Sequence, residues 1–173
     1  DSHMRYEANR NEDVAGEPSL TDMTVKAIEL LERDTEGFFL LVEAGRIDHA
    51  HHASNAYNAL NDTVEFSRAV QAAIDAVDIN ETLIIVTADH SHVMTFAGYP
   101  ERGNPILGKA GNDTNGLPYT TLGYANGAGF DDNGSNTNAD ERSGPAAPGR
   151  HDLTDVDTTA PGFHQESLVS LFA

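Results

Sequence analysis

Side chains able to hold metal ions gather at two places in this chain, each just past an apolar run. In GFFLLVEAGRIDHAHH, residues 37–52, the run 38–42 ends in Glu43, and Asp48, His49, His51 and His52 follow. In TLIIVTADHSH, residues 82–92, the run 82–86 leads to Asp89, His90 and His92. Asp48 and His52 are four apart, so a helix beginning at Asp48 sets both on one face within reach of one cation. Carboxylate and neutral imidazole at that spacing suit Zn2+, which binds both at about 2.0–2.2 Å. Adjacent Asp89 and His90 point to opposite faces of a strand, yet at a strand end the backbone turns and the pair can converge on one ion. Glu43, a hard oxygen donor closing an apolar run, suits Mg2+. His49 and His51 point away from the Asp48–His52 face and read as lining the site.

Ordinary roles compete with ligation. A lone Asp at a strand end usually caps a helix, a lone His is usually a partnered polar group, and Glu43 has Arg46 nearby as an ion-pair partner. His3, His151 and His164 read as surface or loop residues. Asp48, His52, Asp89 and His90 together resist that explanation, because gathering such charge without a cation is costly. Two Zn2+ ions about 4 Å apart can clamp the attacking and leaving oxygens of an in-line displacement at phosphorus, and a third, harder ion can hold a water for proton transfer. The residues alone therefore point to metal-assisted hydrolysis of a phosphate ester. A non-catalytic cation-binding fragment, or another phosphoesterase built on the same metals, are the alternatives.

Composition narrows the field. The chain has no Cys, which excludes disulfides and thiolate zinc sites and leaves oxygen and imidazole nitrogen as ligands. Asp and Glu number 28 against 10 Lys and Arg, a formal net charge of −18. Such a surface repels nucleic-acid phosphate and anionic lipid. The acidity fits a strongly solvated surface, adaptation to high salt where screening weakens self-repulsion, or a disordered acidic segment after Asn112. No run of 18 apolar residues is present to span a membrane, and no signal peptide is visible.

The elements that must position these side chains follow from pattern. Residues 5–18 read as a loop. Ser19 opens a helix, with Asp22 in the capping-box position, apolar Met23, Ala27, Leu30 and Leu31 at helical spacing, and Lys26 and Glu29 facing solvent; it ends near Asp34. The continuous apolar runs 38–42 and 82–86 read as buried strands of a parallel sheet covered on both faces. Between them, residues 53–77 form a long helix with Ala56, Leu60, Val64, Ala69, Ala73, Ile74 and Val77 as its buried stripe. Strand, helix and strand make a right-handed βαβ unit, so the fold class is α/β, part of a doubly wound, mainly parallel sheet with flanking helices. In such sheets ligands bind beyond the carboxyl ends of the strands, where both clusters lie. Residues 98–150 are rich in Gly, Asn, Asp and Pro and read as a loop-rich insertion with one β-like island, 119–124; residues 1–97 and 151–173 belong to one α/β domain. The apolar end FHQESLVSLFA, with neither cap nor polar tail, reads as a truncation.

The segments VEAGRIDHAHH and VTADHSHVMTFAGYPERGNPILG closely resemble the alkaline phosphatases, in the form shared by animal and many marine bacterial enzymes. The resemblance extends to the MRYEANR opening, the PSLTDMTVKAIELL helix and YTTLGYANGAGF, so that Ser2, His3 and Met4 read as native sequence rather than a tag. It implies that Asp48 and His52 bind a first zinc, Asp89 and His90 a second, and Glu43 a magnesium. It implies that His92 orients the aspartate at position 48 and that His49 tunes phosphate binding. Glu17 lies where vertebrate members place an acidic ligand of a structural calcium, although the flanking loop differs in length.

The departures matter as much. The family's nucleophilic serine, the aspartate bridging zinc and magnesium and the phosphate-binding arginine lie upstream of a segment like this one, and Ser91 is not that nucleophile. The third ligand of the first zinc, a histidine in a T-H-x-G-E-D segment, is expected shortly after LVSLFA; His151 and His164 do not replace it. The expectation is a piece of a phosphatase that hydrolyses phosphate monoesters by double displacement through a phosphoserine. This piece supplies zinc and magnesium ligands, contains no catalytic nucleophile and is inactive by itself. The resemblance further implies association with the remainder of the phosphatase chain, a homodimer contacted through a crown-like insertion at 98–150, and a periplasmic or secreted location.

Overall fold

A computed structural model describes residues 3–124, except residues 54, 97, 113 and 115–117. The apolar segment 163–173, His151, His164 and most of the expected insertion lie outside the described residues. The described chain divides into two units, one of residues 3–48 and 58–91, the other of 49–57 and 92–124.

In the first unit, a 3-10 helix, Glu7–Glu12, occupies the segment expected as loop. Arg10 closes it by donating to both carboxylate oxygens of Glu7, at 2.8 and 3.1 Å. Helix α1, Leu20–Leu31, begins with the expected capping box: Ser19 Oγ accepts from the Asp22 amide at 3.0 Å, and Asp22 Oδ2 accepts from the Ser19 amide at 2.9 Å. Lys26 and Glu29 are exposed and paired at 2.5 Å. The buried face differs from the expected one. Thr24 and Ile28 are buried, whereas Met23 and Leu30 are exposed. Thr24 can be buried because its hydroxyl is satisfied within the helix, donating to the Leu20 carbonyl at 2.8 Å.

Helix α3, Ala56–Ala76, is shorter at each end than the expected 53–77. Ala56, Ala59 and Ala69 are buried; Val64 and Ile74, expected in the stripe, are exposed. Glu65 takes the interior place instead. It accepts from the Thr21 amide at 3.0 Å and the Thr21 hydroxyl at 2.6 Å, and Arg68 lies 3.4 Å away. A carboxylate from α3 thus satisfies an orphan amide at the start of α1 and complements its dipole. Burial pushes the Glu65 carboxyl up, but the hydrogen bonds from Thr21, Ser19 and Arg68 outweigh it and leave Glu65 below its ordinary range.

One turn earlier on α3, Asp62 accepts the Glu7 amide at 3.2 Å and so ties the 3-10 helix to α3. Burial raises the Asp62 carboxyl from 3.8 to about 6; the Glu7 amide and Arg46 oppose the rise, and Glu7 and Glu65 add to it.

The apolar runs 38–42 and 82–86 depart from expectation. Among the described residues neither belongs to a hydrogen-bonded ladder, and the parallel sheet is not formed. Exposure alternates only within each run: Leu40, Val42, Thr82 and Ile84 are half-buried, while Phe39 is 86%, Leu41 74%, Leu83 83% and Ile85 76% exposed, and Phe38 and Val86 at the ends are exposed as well. A buried central strand needs ladder partners on both edges and cover on both faces. The described residues supply neither in full.

The second unit holds four short strands, β1 (Met94–Thr95), β2 (Lys109–Asn112), β3 (Pro118–Thr120) and β4 (Gly123–Tyr124), paired antiparallel as β1 with β4 and β2 with β3. The island expected at 119–124 corresponds to β3 and β4; β2 has no apolar signature and went unread. Gly98 donates to the Thr121 carbonyl at 3.2 Å, and a Cβ there would lie 2.2 Å from the Thr120 carbonyl oxygen, so this crossing requires glycine. Leu122 is buried beneath these strands.

Two outcomes follow. Glu65→Ala leaves the Thr21 donors without an acceptor and should cost about 2 kcal/mol in urea denaturation, with Glu65→Gln costing less. Asp62, with its folded value raised, contributes stability that is complete below pH ~4 and is lost as pH rises through about 6. Asp62→Asn, which keeps an acceptor for Glu7, should therefore gain on wild type by about 1 kcal/mol between pH 4 and 7.5, the full shift being discounted because the site is only half-buried. Parallel pH profiles for the two proteins would refute that assignment.

Candidate metal centre

Helix α2, Arg46–His52, carries one carboxylate and three imidazoles in seven residues. It begins two residues before Asp48, after Gly45, so Asp48 and His52 both fall inside it, one turn apart on one face. The buried side of the helix is Ala50, fully covered. The C-terminal end closes through the Ala53 amide to the His49 carbonyl at 3.2 Å and the Asn55 amide to the Ala50 carbonyl at 2.8 Å. Three imidazoles in the last turn lie at the negative end of the helix dipole, which favours cationic groups there.

In the first unit, His90 is the meeting point. The bend at 89–90 lets Asp89 fold back on its neighbour, as expected of a turning strand end: Asp89 Oδ1 accepts the His90 amide at 3.0 Å and Oδ2 lies 3.4 Å from His90 Nε2. Asp48 Oδ1 approaches the same nitrogen at 3.6 Å. His90 Nδ1 lies 2.8 Å from the Ser91 carbonyl, which accepts only from an Nδ1–H. That tautomer leaves the Nε2 lone pair facing two carboxylates, an arrangement satisfied by a proton or a cation on Nε2. Accordingly the His90 imidazole is raised, first by the Ser91 carbonyl, then by Asp89 and Asp48.

In the second unit, His92 contacts two imidazoles of α2. Its ring centroid lies 4.7 Å from His52, edge-on, and 5.1 Å from His51. His92 and His52 offer ligand atoms within 4.8 Å of each other. His92 Nδ1 accepts the Val93 amide at 2.9 Å, so the neutral ring carries its hydrogen on Nε2.

The remaining candidates stand apart. Glu43 is exposed at the end of its apolar run, with its Oε1 3.3 Å from where a Cβ on Gly45 would sit. His49 is half-buried on α2. Glu17 Oε2 accepts the Arg5 amide at 2.8 Å, and the Glu17 amide donates to Asp13 Oδ2 at 2.9 Å, so its carboxylate ties the loop before α1. Among the described residues none of Glu43, Glu17, Asp89 and His90 joins a group of three potential ligands. Sequence reasoning missed Tyr6 and Asp62. Tyr6 stacks on the Arg46 guanidinium, 3.7 Å from its ring centroid, where α2 begins. An aromatic beside a basic residue far along the chain carries no periodic signal.

The donors present, carboxylate oxygen and imidazole nitrogen without thiolate, fit the borderline and hard divalent cations of hydrolytic centres. A family model described as alkaline phosphatase matches residues 1–167, and the chain belongs to the alkaline phosphatase family. It is 50% identical over 129 residues to the tissue-nonspecific isozyme of alkaline phosphatase from Homo sapiens, covering 73% of this chain and 24% of that protein. It is 48% identical over 129 residues to a membrane-bound alkaline phosphatase of Bombyx mori, covering 74% and 23%, and 48% identical over 146 residues to alkaline phosphatase 4 of Drosophila melanogaster, covering 82% and 24%. The chain thus spans about a quarter of the length of these curated relatives. Family membership implies an α/β fold and dependence on metal. No helix among the described residues is long and apolar enough to cross a membrane.

Zinc titration of the 173-residue chain tests the donor set. His52→Ala should weaken binding by tenfold or more; unchanged heats would remove His52 from the centre.

Proposed function

We propose that this chain is the part of an alkaline phosphatase that supplies half of its metal ligands, and that the complete protein hydrolyses phosphate monoesters. The observation that carries the reading is His90 Nε2, set between Asp48 and Asp89 in a chain of this family. Asp48 and His52 would hold one zinc, Asp89 and His90 a second, and Glu43 a magnesium. When bound, such ions stabilise charge on the attacking and leaving oxygens of phosphoryl transfer. The chain's own residues hold and orient: the Ser91 carbonyl fixes the His90 tautomer, His92 donates toward a carboxylate, and His49 and His51 line the approach. A serine outside this chain serves as nucleophile, giving a phosphoserine that water then cleaves. Glu17 stands as a calcium ligand in the complete protein.

The same reading assigns partners. The exposed faces of 38–42 and 82–86 would be covered by the remainder of a phosphatase-length polypeptide, since relatives are about four times longer than the matched region. Homodimerisation, with residues 98–150 as the contacting insertion beside an α/β domain of 1–97 and 151–173, belongs to this proposal, as does a periplasmic or secreted location. So does adaptation to high salt, which the net charge of −18 favours.

The 173-residue chain alone should leave p-nitrophenyl phosphate uncleaved, while the same sequence within a full-length phosphatase cleaves it and spares the bis-ester, with activity lost on chelation. Turnover by the isolated chain at a rate typical of the family would overturn the division of labour. Preference for the diester would favour another phosphoesterase of this metal architecture. Metal binding in a full-length protein that cleaves neither ester would leave the cation-binding role alone.

A further inference from the structure

We propose that Tyr6 and Arg46 are positioning residues for Asp48: the Tyr6 ring holds the Arg46 guanidinium and thereby fixes the first turn of α2. The inference rests on the metal-centre reading above and concerns residues to which that reading gives no task. Arg46 is the first residue of α2, and its Cζ sits 3.7 Å from the Tyr6 ring centroid, within the range of a cation–π contact. The stack is sheltered enough that burial is the leading cause of a raised Tyr6 hydroxyl. Tyr6 is itself anchored. The next residue, Glu7, donates its amide to Asp62 Oδ2 at 3.2 Å, and the Glu7 carboxylate is held by Arg10. The ring is therefore referred to α3 by a hydrogen bond one residue away.

The helical geometry converts this hold into orientation. Two residues along a helix are about 200° apart around its axis, so Arg46 and Asp48 lie on nearly opposite sides. Fixing Arg46 on one side fixes where Asp48 projects on the other, and its Oδ1 stands 3.6 Å from His90 Nε2. A seven-residue helix has too few internal hydrogen bonds to hold its own position. At its start the Ile47 amide donates to the carbonyl of Ala44, just before the helix, at 3.2 Å. The planar guanidinium suits the task because it stacks face to face on a ring, which an ammonium does not.

The 173-residue chain provides the test, with zinc affinity read by calorimetry and, in metal-free protein, exchange of the Ile47 amide read by NMR. Tyr6→Leu should weaken zinc binding roughly tenfold and speed Ile47 exchange several-fold, whereas Tyr6→Phe, which keeps the ring, should match wild type in both. Thermal melts establish that each variant folds. Should Tyr6→Leu fail to fold, Arg46→Lys, which keeps the charge but loses the planar face, takes its place with the same expectation. Wild-type behaviour in both measurements overturns the proposal, as does faster exchange with unchanged zinc affinity, or a Tyr6→Phe variant as weak as Tyr6→Leu. Wild-type chain that binds no zinc sinks the metal-centre reading instead, and the hold of Tyr6 on α2 is then decided by Ile47 exchange alone.

Discussion

Two carboxylates close to one imidazole nitrogen set the chemistry of the first unit. Asp48 comes from a helix and Asp89 from a bend more than forty residues away, and both face His90 Nε2. In a chain carrying a net charge of −18, bringing two such groups together opposes the general repulsion of the surface. The arrangement is maintained because the turn at 89–90 and the tautomer set by Ser91 leave a lone pair where positive charge is wanted. A proton answers that demand weakly and a divalent cation strongly, which ties the local geometry to the metal dependence of the family.

The elements around this point are each stabilised by something other than their own propensity. Helix α2 spans seven residues and depends on Ala50 burial and on contacts at its ends. Helix α1 is capped twice, by its own Ser19–Asp22 box and by Glu65 from α3. Helix α3 gives up apolar positions to Glu65 and Asp62, and those two carboxylates hold the segments before it in the chain. Two acids on a partly covered helix face would be a liability if unpaired. Each accepts at least one backbone amide: at Glu65 these bonds outweigh the cost of partial burial, at Asp62 burial outweighs them, and both sets fix the relative placement of α1, α3 and the 3-10 helix.

Much of this was legible in the sequence, and the parts that were not share a cause. The capping box before α1, the existence of α1 and α3 and the inclusion of Asp48 and His52 in one helix follow from local pattern and are observed, and Asp89 Oδ2 lies 3.4 Å from His90 Nε2. The buried faces of both helices were misread because period-3.6 counting places every apolar residue inside. Thr24 hides its hydroxyl in the helix backbone, and Glu65 satisfies its carboxylate on Thr21, so both take interior places that Met23 and Val64 were expected to fill. Tyr6 and Asp62 escaped notice because their roles are set by partners 40 and 55 residues away. Local spacing carries no information on such pairs.

The apolar runs carry the argument furthest. Residues 38–42 and 82–86 have the composition of strands buried on both faces, yet Phe38, Phe39, Leu41, Leu83, Ile85 and Val86 are exposed. Composition records the environment a segment is built for, and exposure records what these residues alone supply. Phe39, Leu41, Leu83 and Ile85 would each be worth about 1.5–3 kcal/mol on full burial, so leaving them in water is a standing cost that further polypeptide could remove. Both runs lead directly into the acidic clusters. Covering them would stiffen the segments that end in Glu43 and Asp89, so their burial would also set where those carboxylates stand. Cover of these runs and placement of the carboxylates are thereby coupled, because the segments that lack cover are the ones that lead into the charge.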